Sequence, residues 1–226
     1  MRVFAFIFAR KGSKGIKNKN IKVFYRKPLI AHTIQLAKRI KFIQDLYVST
    51  DCPKIKRISI KYGIKVIDRP RRLATDISSE LLSWKHAINF LEKKKIKFDI
   101  FLSLPCTSPL RKRQDIINIL KNLRKGTDLS VGITPSKKNP YFNMFVKDNR
   151  EYLKRIFKKN IIRRQDAPKF FDITTVGYAA RVNYVRNCKS IFEGKVKGVY
   201  VPEKRAIDID NIFDFKLAKI IVNKKL

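Results

Sequence analysis

Two clusters in this sequence combine residue types and spacings that suit phosphate and metal chemistry. The first, Ala9-Arg10-Lys11-Gly12-Ser13-Lys14-Gly15-Ile16-Lys17-Asn18-Lys19-Asn20, directly follows a short apolar run. Gly12 and Gly15 let the backbone approach a phosphate chain, and successive N–H groups there can form an anion-binding nest. Arg10, Lys14 and Lys19 add mobile positive charge, which stabilises a triphosphate and its leaving pyrophosphate. The glycine spacing matches neither the Walker loop nor G-x-G-x-x-G. A solvated basic loop is the competing reading. The second cluster, Ala206-Ile207-Asp208-Ile209-Asp210, precedes the last amphipathic stretch. If it is extended, Asp208 and Asp210 point to one face. Two carboxylates so placed can hold a hydrated Mg²⁺, with Mn²⁺ as an alternative, that takes phosphate oxygens. The competing reading is that Asp210 caps the final helix.

The elements that must position these clusters follow from the apolar pattern. Val3–Phe8 is a nearly continuous apolar run, as a strand buried on both faces should be. Further strands are expected at 46–50, 64–67, 100–104, 129–133, 176–180 and 196–201. Helical spacing recurs at 28–37, 55–62, 81–91, 116–123 and from 211 onward. This alternation predicts an α/β fold, a mostly parallel sheet with helices on both faces. Between about 135 and 175 the rhythm breaks into aromatic pieces, Tyr141–Val146, Tyr152-Leu153 and Phe170-Phe171. They predict a small antiparallel excursion that packs against a partner subunit. No repeat or linker marks a second domain, so residues 1–226 are expected to form one.

Composition narrows the classes. Lys and Arg number 53 against 18 Asp and Glu, a formal charge of +35 over 226 residues. Such an excess raises nucleic-acid binding as a possibility. The basic residues are spread along the whole chain, however, and the Lys, Ile and Asn richness is what an A/T-biased genome would produce. Three scattered cysteines, Cys52, Cys106 and Cys188, offer neither a disulfide framework nor a metal knuckle. Cytoplasmic placement without membrane association is therefore expected. His32 and His86 fall in helical patterns and read as structural. Cys106 reads as a packing residue.

The two clusters, with Ser49-Thr50-Asp51, Arg69-Pro70, Leu73-Ala74-Thr75-Asp76, Thr107-Ser108-Pro109-Leu110-Arg111 and Arg164-Gln165-Asp166-Ala167-Pro168 between them, resemble the acylneuraminate cytidylyltransferase family over nearly the whole chain. The resemblance implies a Rossmann-like domain that uses CTP and Mg²⁺ to activate an acidic nine-carbon sugar as its CMP derivative. It implies that Arg10, Lys14, Gly12 and Ser13 hold phosphates, and that Lys19 and Asn20 act near the transferred group. Arg69, Asp76 and Ser79 would line the cytidine pocket, and Thr107, Ser108 and Tyr178 would contact substrate. Asp208 and Asp210 would hold the metal, with Asp210 catalytic alongside Arg10, Lys14 and Lys19. The aromatic excursion would be a homodimerisation arm carrying Arg163 or Arg164 toward the partner's site.

Three departures bear on the sugar. Pro105 replaces a glutamine usual in the family, Thr174-Thr175-Val176-Gly177-Tyr178 replaces Asn-Gly-Ala-Ile-Tyr, and Phe142 stands where a lysine is expected. A pocket lacking those polar groups discriminates against sugars that need them. This pattern is similar to the branch acting on legionaminic-type diamino sugars. The alternatives are a Kdo-type synthetase, a basic nucleic-acid-binding protein on a nucleotide-binding scaffold, and a catalytically silent paralogue.

Overall fold

The computed structural model describes residues 1–157 and 161–223. Its centre is a seven-stranded sheet. The strands are β1 (Val3–Phe8), β2 (Ile43–Thr50), β3 (Lys65–Asp68) and β4 (Ile100–Ser103), then β5 (Leu129–Pro135), β6 (Phe171–Arg181) and β7 (Val196–Tyr200). Their order across the sheet is β7-β5-β6-β4-β1-β2-β3. All neighbours run parallel except β6, which is antiparallel to both β4 and β5. The helices are α1 (Leu29–Lys38), α2 (Pro53–Lys61), α3 (Glu80–Lys93) and α4 (Arg113–Asn122), then α5 (Val182–Asn187), α6 (Glu203–Ala206) and α7 (Ile212–Asn223). Every expected strand is present, in a mostly parallel α/β sheet.

Strand alternation divides the core into two layers. Val3, Ala5 and Ile7 face one way and pack with Ile30 and Ile34 of α1, Ile55 of α2, and Ile116 and Ile119 of α4. Phe4 and Phe6 face the other way, against Leu81, Trp84, Ile88 and Leu91 of α3. That second layer is aromatic: Phe4 stacks on Phe98 at 4.7 Å, Phe6 on Phe101 at 4.6 Å, and Trp84 lies 5.0 Å from Phe101. Buried aromatic surface of this kind dominates core energetics. It ties the N-terminus of α3 rigidly to the middle of the sheet.

From β1 the chain builds outward through β2 to β3, then returns to place β4 on the other side of β1. The gap between the segments leaving β1 and β4 is therefore a switch point, where open α/β sheets place their ligands.

Two expectations are corrected. Residues 207–210 form no strand; they are an irregular segment between α6 and α7. Ile209 turns into a third apolar cluster with Ile16, Phe24, Leu29 and Phe215, so core packing rather than sheet alternation sets this segment's shape. Nor does Asp210 cap α7, because the Asn211 side chain accepts from the N–H groups of Phe213 (2.8 Å) and Asp214 (3.0 Å). The antiparallel excursion is present as a short hairpin, Phe145–Lys147 paired with Leu153–Arg155. The rings of Tyr141, Phe157 and Phe170 cluster near its base. Lys158, Lys159 and Asn160 of the excursion lie outside the described residues.

Candidate active site

A cavity of about 500 Å³ opens at the switch point. Three segments leaving strand ends build its walls: Phe8 to Asn20 after β1, Arg69 to Ser83 after β3, and Pro105 to Thr107 after β4. Asp210 closes the remaining side.

The loop after β1 is pinned from both flanks. The Asn20 side-chain amide donates to the Arg10 carbonyl (3.2 Å), and the Lys11 N–H donates to Asp51 Oδ1 (2.9 Å). A Cβ on Gly15 would overlap the Asp210 carbonyl oxygen, so this glycine lets the loop pass directly against the acidic segment. Gly12 meets no such obstacle. The sequence reading assigned both glycines to phosphate approach; for Gly15 the structure supplies a packing reason instead.

Lys19 completes the join. Its Nζ donates to the Ile209 carbonyl (2.6 Å) and to Asp210 Oδ1 (3.1 Å), with the lysine side chain only 13% exposed. The Ile209 N–H in turn donates to the Thr107 carbonyl (2.8 Å). The loop after β1, the acidic segment and the loop after β4 thus hold one another in place.

Asp76 bridges Arg10 and Lys14, and their hydrogen bonds hold its carboxyl below the usual carboxylate range. It is the counter-charge to these two loop cations. Arg69 is buried and donates to Ser49 Oγ (3.2 Å) and to the Ser49 carbonyl (2.7 Å). Burial lowers its pKa to about 10, opposed by Asp51 and Glu80, so it stays charged at neutral pH.

Asp208 and Asp210 differ sharply in environment. Asp210 is exposed, whereas Asp208 is partly buried. Burial pushes the Asp208 carboxyl up, the Thr107 hydroxyl opposes this, and the charge on Asp210 adds to the rise. Asp208 Oδ1 is buried without a hydrogen-bond partner. An orphaned carboxylate oxygen beside an exposed carboxylate is a donor set that fits a hard, water-retaining cation such as Mg²⁺. Among the described residues no group of three or more His, Cys, Asp or Glu side chains is arranged for a metal, so any ion here takes most of its ligands from water and substrate.

Several expected residues lie outside the lining. Ser79 is the N-cap of α3, its hydroxyl accepting from the Leu81 N–H (3.2 Å). Ser108 is fully buried and bonds the Thr175 hydroxyl (2.7 Å). Tyr178 is buried edge-on against Trp84 at 5.8 Å, and burial raises its pKa. Arg164 lies on the excursion and borders a separate groove there, while Arg163 pairs with Asp166 (2.8 Å). Neither histidine lines the cavity. Cys106 does, but complete burial pushes its thiol to about 12, which leaves no thiolate at neutral pH. The sequence reading missed Glu80, Phe8 and Ser83, all of which face the cavity. Only their positions relative to strand ends could have signalled them.

A cytidylyltransferase family model matches residues 4–211. The chain is 32% identical to CMP-N,N'-diacetyllegionaminic acid synthase of Campylobacter jejuni, covering 99% of this chain and 96% of that protein. It is 29% identical to N-acylneuraminate cytidylyltransferase of Escherichia coli, over 99% of this chain but 53% of that longer protein. Among solved structures, CMP:2-keto-3-deoxy-manno-octonic acid synthetase complexed with CTP shares the fold, with a TM-score of 0.75 at 17% identity and full coverage of both chains. With every strand of the sheet, save its first residue Val3, and all four cavity walls inside the matched span, the chain belongs to the cytidylyltransferase family.

Proposed function

We propose that this enzyme transfers the cytidylyl group of CTP to the anomeric hydroxyl of an acidic nine-carbon sugar, with legionaminic-type sugars favoured, releasing pyrophosphate. One observation carries the reading: a basic, glycine-bearing loop is locked onto an acidic segment by Lys19 and Gly15 over a single cavity at the switch point. A simple polyanion binder has no need of acids there. The named relatives supply the sugar class, and the departures at Pro105, Phe142 and Thr174–Tyr178 favour the less polar sugars within it. Cytoplasmic work fits this role; among the described residues no helix is long and apolar enough to cross a membrane.

Both reactants are anionic, so catalysis is mainly charge neutralisation and in-line positioning. Arg10 and Lys14 turn from Asp76 to the phosphate chain when CTP enters. Arg69 is held at the cavity wall by Ser49 and can meet the nucleotide without reorganising. Lys19 keeps the acidic segment seated against the phosphate loop. Asp208 and Asp210 would hold Mg²⁺, which when bound supplies Lewis-acid polarisation of a phosphoryl oxygen. The exposed apolar hairpin, with Phe145, Tyr152 and Leu153 facing solvent, would form the dimer contact and bring Arg164 toward the partner's cavity.

The test is pyrophosphate release from CTP with a panel of N,N'-diacetyllegionaminic acid, N-acetylneuraminic acid and an octulosonic acid. Release with the first two and not the third is expected. Preference for the octulosonic acid would move the enzyme to the other branch.

A further inference from the structure

Four carboxyl groups border the cavity or its acidic segment: Asp76, Glu80, Asp208 and Asp210. Three are accounted for. Asp76 is paired with Arg10 and Lys14, Asp210 is paired with Lys19, and Asp208 carries the orphaned oxygen suited to a cation. Glu80 takes part in none of the ion pairs among the described residues. Arg69, the cation that acts on it electrostatically, is committed to Ser49.

Glu80 is nonetheless fixed with care. It is the first residue of α3, and its Oε1 accepts from Trp84 Nε1 at 3.1 Å, one turn further along the helix. Trp84 is 1% exposed and packed into the aromatic layer, so the carboxyl is anchored to the buried core. The hydroxyl of Ser103, at the end of β4, is its second polar neighbour and is buried without a hydrogen-bond partner. The groups that face it come from every adjoining element: Trp84 on α3, Ser103 on β4, Arg69 after β3, Tyr178 on β6 and Asp208 on the acidic segment. It lies within electrostatic reach of Asp208 and lines the same cavity as Arg10, Lys19 and Asp210.

We propose, on the basis of the cytidylyl-transfer reading above, that Glu80 is the general base that takes the proton of the attacking sugar hydroxyl. In that step the hydroxyl oxygen forms a bond to the α-phosphorus. The bond from that phosphorus to the oxygen bridging toward the β-phosphorus breaks, and its electron pair leaves with pyrophosphate. The hydroxyl proton passes to Glu80 Oε2, the oxygen that Trp84 does not hold, and from there to solvent. A base that is oriented, unpaired and next to the cation site is what such a step requires. Glu80 is exposed as a whole residue, but lost hydration at its carboxyl end raises its pKa, opposed by the Trp84 hydrogen bond. A carboxylate in this cavity could instead read an exocyclic amine of the nucleobase, and the test separates the two.

The variant is Glu80→Gln, which keeps an acceptor for Trp84 and so preserves the anchor. Steady-state kinetics use the full chain with CTP, Mg²⁺ and either N,N'-diacetyllegionaminic acid or N-acetylneuraminic acid. Expected is a fall in kcat of about 10²- to 10³-fold with KM for CTP little changed, and loss of the acidic limb of the kcat–pH profile. Glu80→Asp should keep part of the rate. An E80Q enzyme within about five-fold of wild-type kcat, with the acidic limb intact, overturns the assignment. So does an E80Q enzyme that keeps kcat but no longer prefers CTP over UTP, which would make Glu80 a base-reading residue. Wild-type protein that releases no pyrophosphate with either sugar sinks the function reading and this base with it. Wild-type turnover beside an unimpaired E80Q sinks only the base.

Discussion

At the scale of single residues, Asp208 and Lys19 show how ligand-free stability and activity pull apart. Burial raises the folded-state pKa of Asp208 above its unfolded value, so ionising it opposes folding. The unfolded chain gives up this proton first. The group's unfavourable contribution therefore grows as pH rises through the carboxylate range and is complete above the folded-state pKa. Asp208→Asn should accordingly raise the melting temperature of metal-free protein at pH 7 while abolishing turnover. A lowered melting temperature would show that its hydrogen bonds outweigh its charge. Lys19→Met removes the cation that seats the Ile209 carbonyl and Asp210. It should cut kcat by about 10²-fold, since a misplacement of about 1 Å in a positioning segment costs that much, and should weaken the apparent Mg²⁺ affinity. An effect confined to KM for CTP would make Lys19 a ground-state phosphate ligand instead. That the basic loop and Asp210 meet at one cavity was legible, because glycine, lysine and aspartate each have few reasons to occur in such spacing. Glu80 was not legible. An acid in the first turn of a helix is ordinary, and no linear pattern joins it to Ser103 and Asp208.

At the scale of elements, α3 carries the clearest separation of structural from functional roles. Ser79 was expected in the cytidine pocket but caps α3. Ser79→Ala should therefore cost about 1 kcal/mol of stability, a fall of roughly 2–4 °C in Tm for a chain of this size, with KM for CTP unchanged. A raised KM at constant Tm would return Ser79 to the nucleotide site. Strands were easy to read where both faces are buried, since runs such as Val3–Phe8 leave no helical alternative. The direction of β6 was unreadable, because an antiparallel strand buried on both faces has the same apolar run as a parallel one. The acidic segment misled for a related reason. Ile207-Asp208-Ile209-Asp210 alternates like a strand, yet Ile209 is drawn into the cluster with Phe24 and Phe215, and the segment pairs with no strand among the described residues. Gly15 belongs to this scale too. Gly15→Ala forces the phosphate loop off the Asp210 carbonyl, so turnover should fall far more than thermal stability does.

For the whole molecule, the open question is what a charge of +35 does. Most acidic side chains in the ion pairs are at the surface, where a pair contributes about 0–1 kcal/mol, so these pairs explain little of the fold. The basic excess instead sets a diffuse field around the chain. At about 0.15 M salt that field reaches roughly 8 Å from an exposed charge. The cavity works on a different footing. Lys19 is largely buried and Arg69 is 8% exposed, each fixed by hydrogen bonds before any ligand arrives. Buried, pre-oriented cations are screened far less than surface lysines. Raising salt from about 0.05 to 0.2 M should therefore collapse binding to a generic DNA duplex by several orders of magnitude, through counterion release. CTP turnover over the same range should change only a few-fold, because Arg69 and Lys19 are already fixed around the cavity and only Arg10 and Lys14 must turn to the phosphates. The measurement is a parallel salt titration of duplex binding and pyrophosphate release. Equal salt slopes for the two would mean that the diffuse field does the binding in both cases, and that the cavity's fixed cations contribute little of their own.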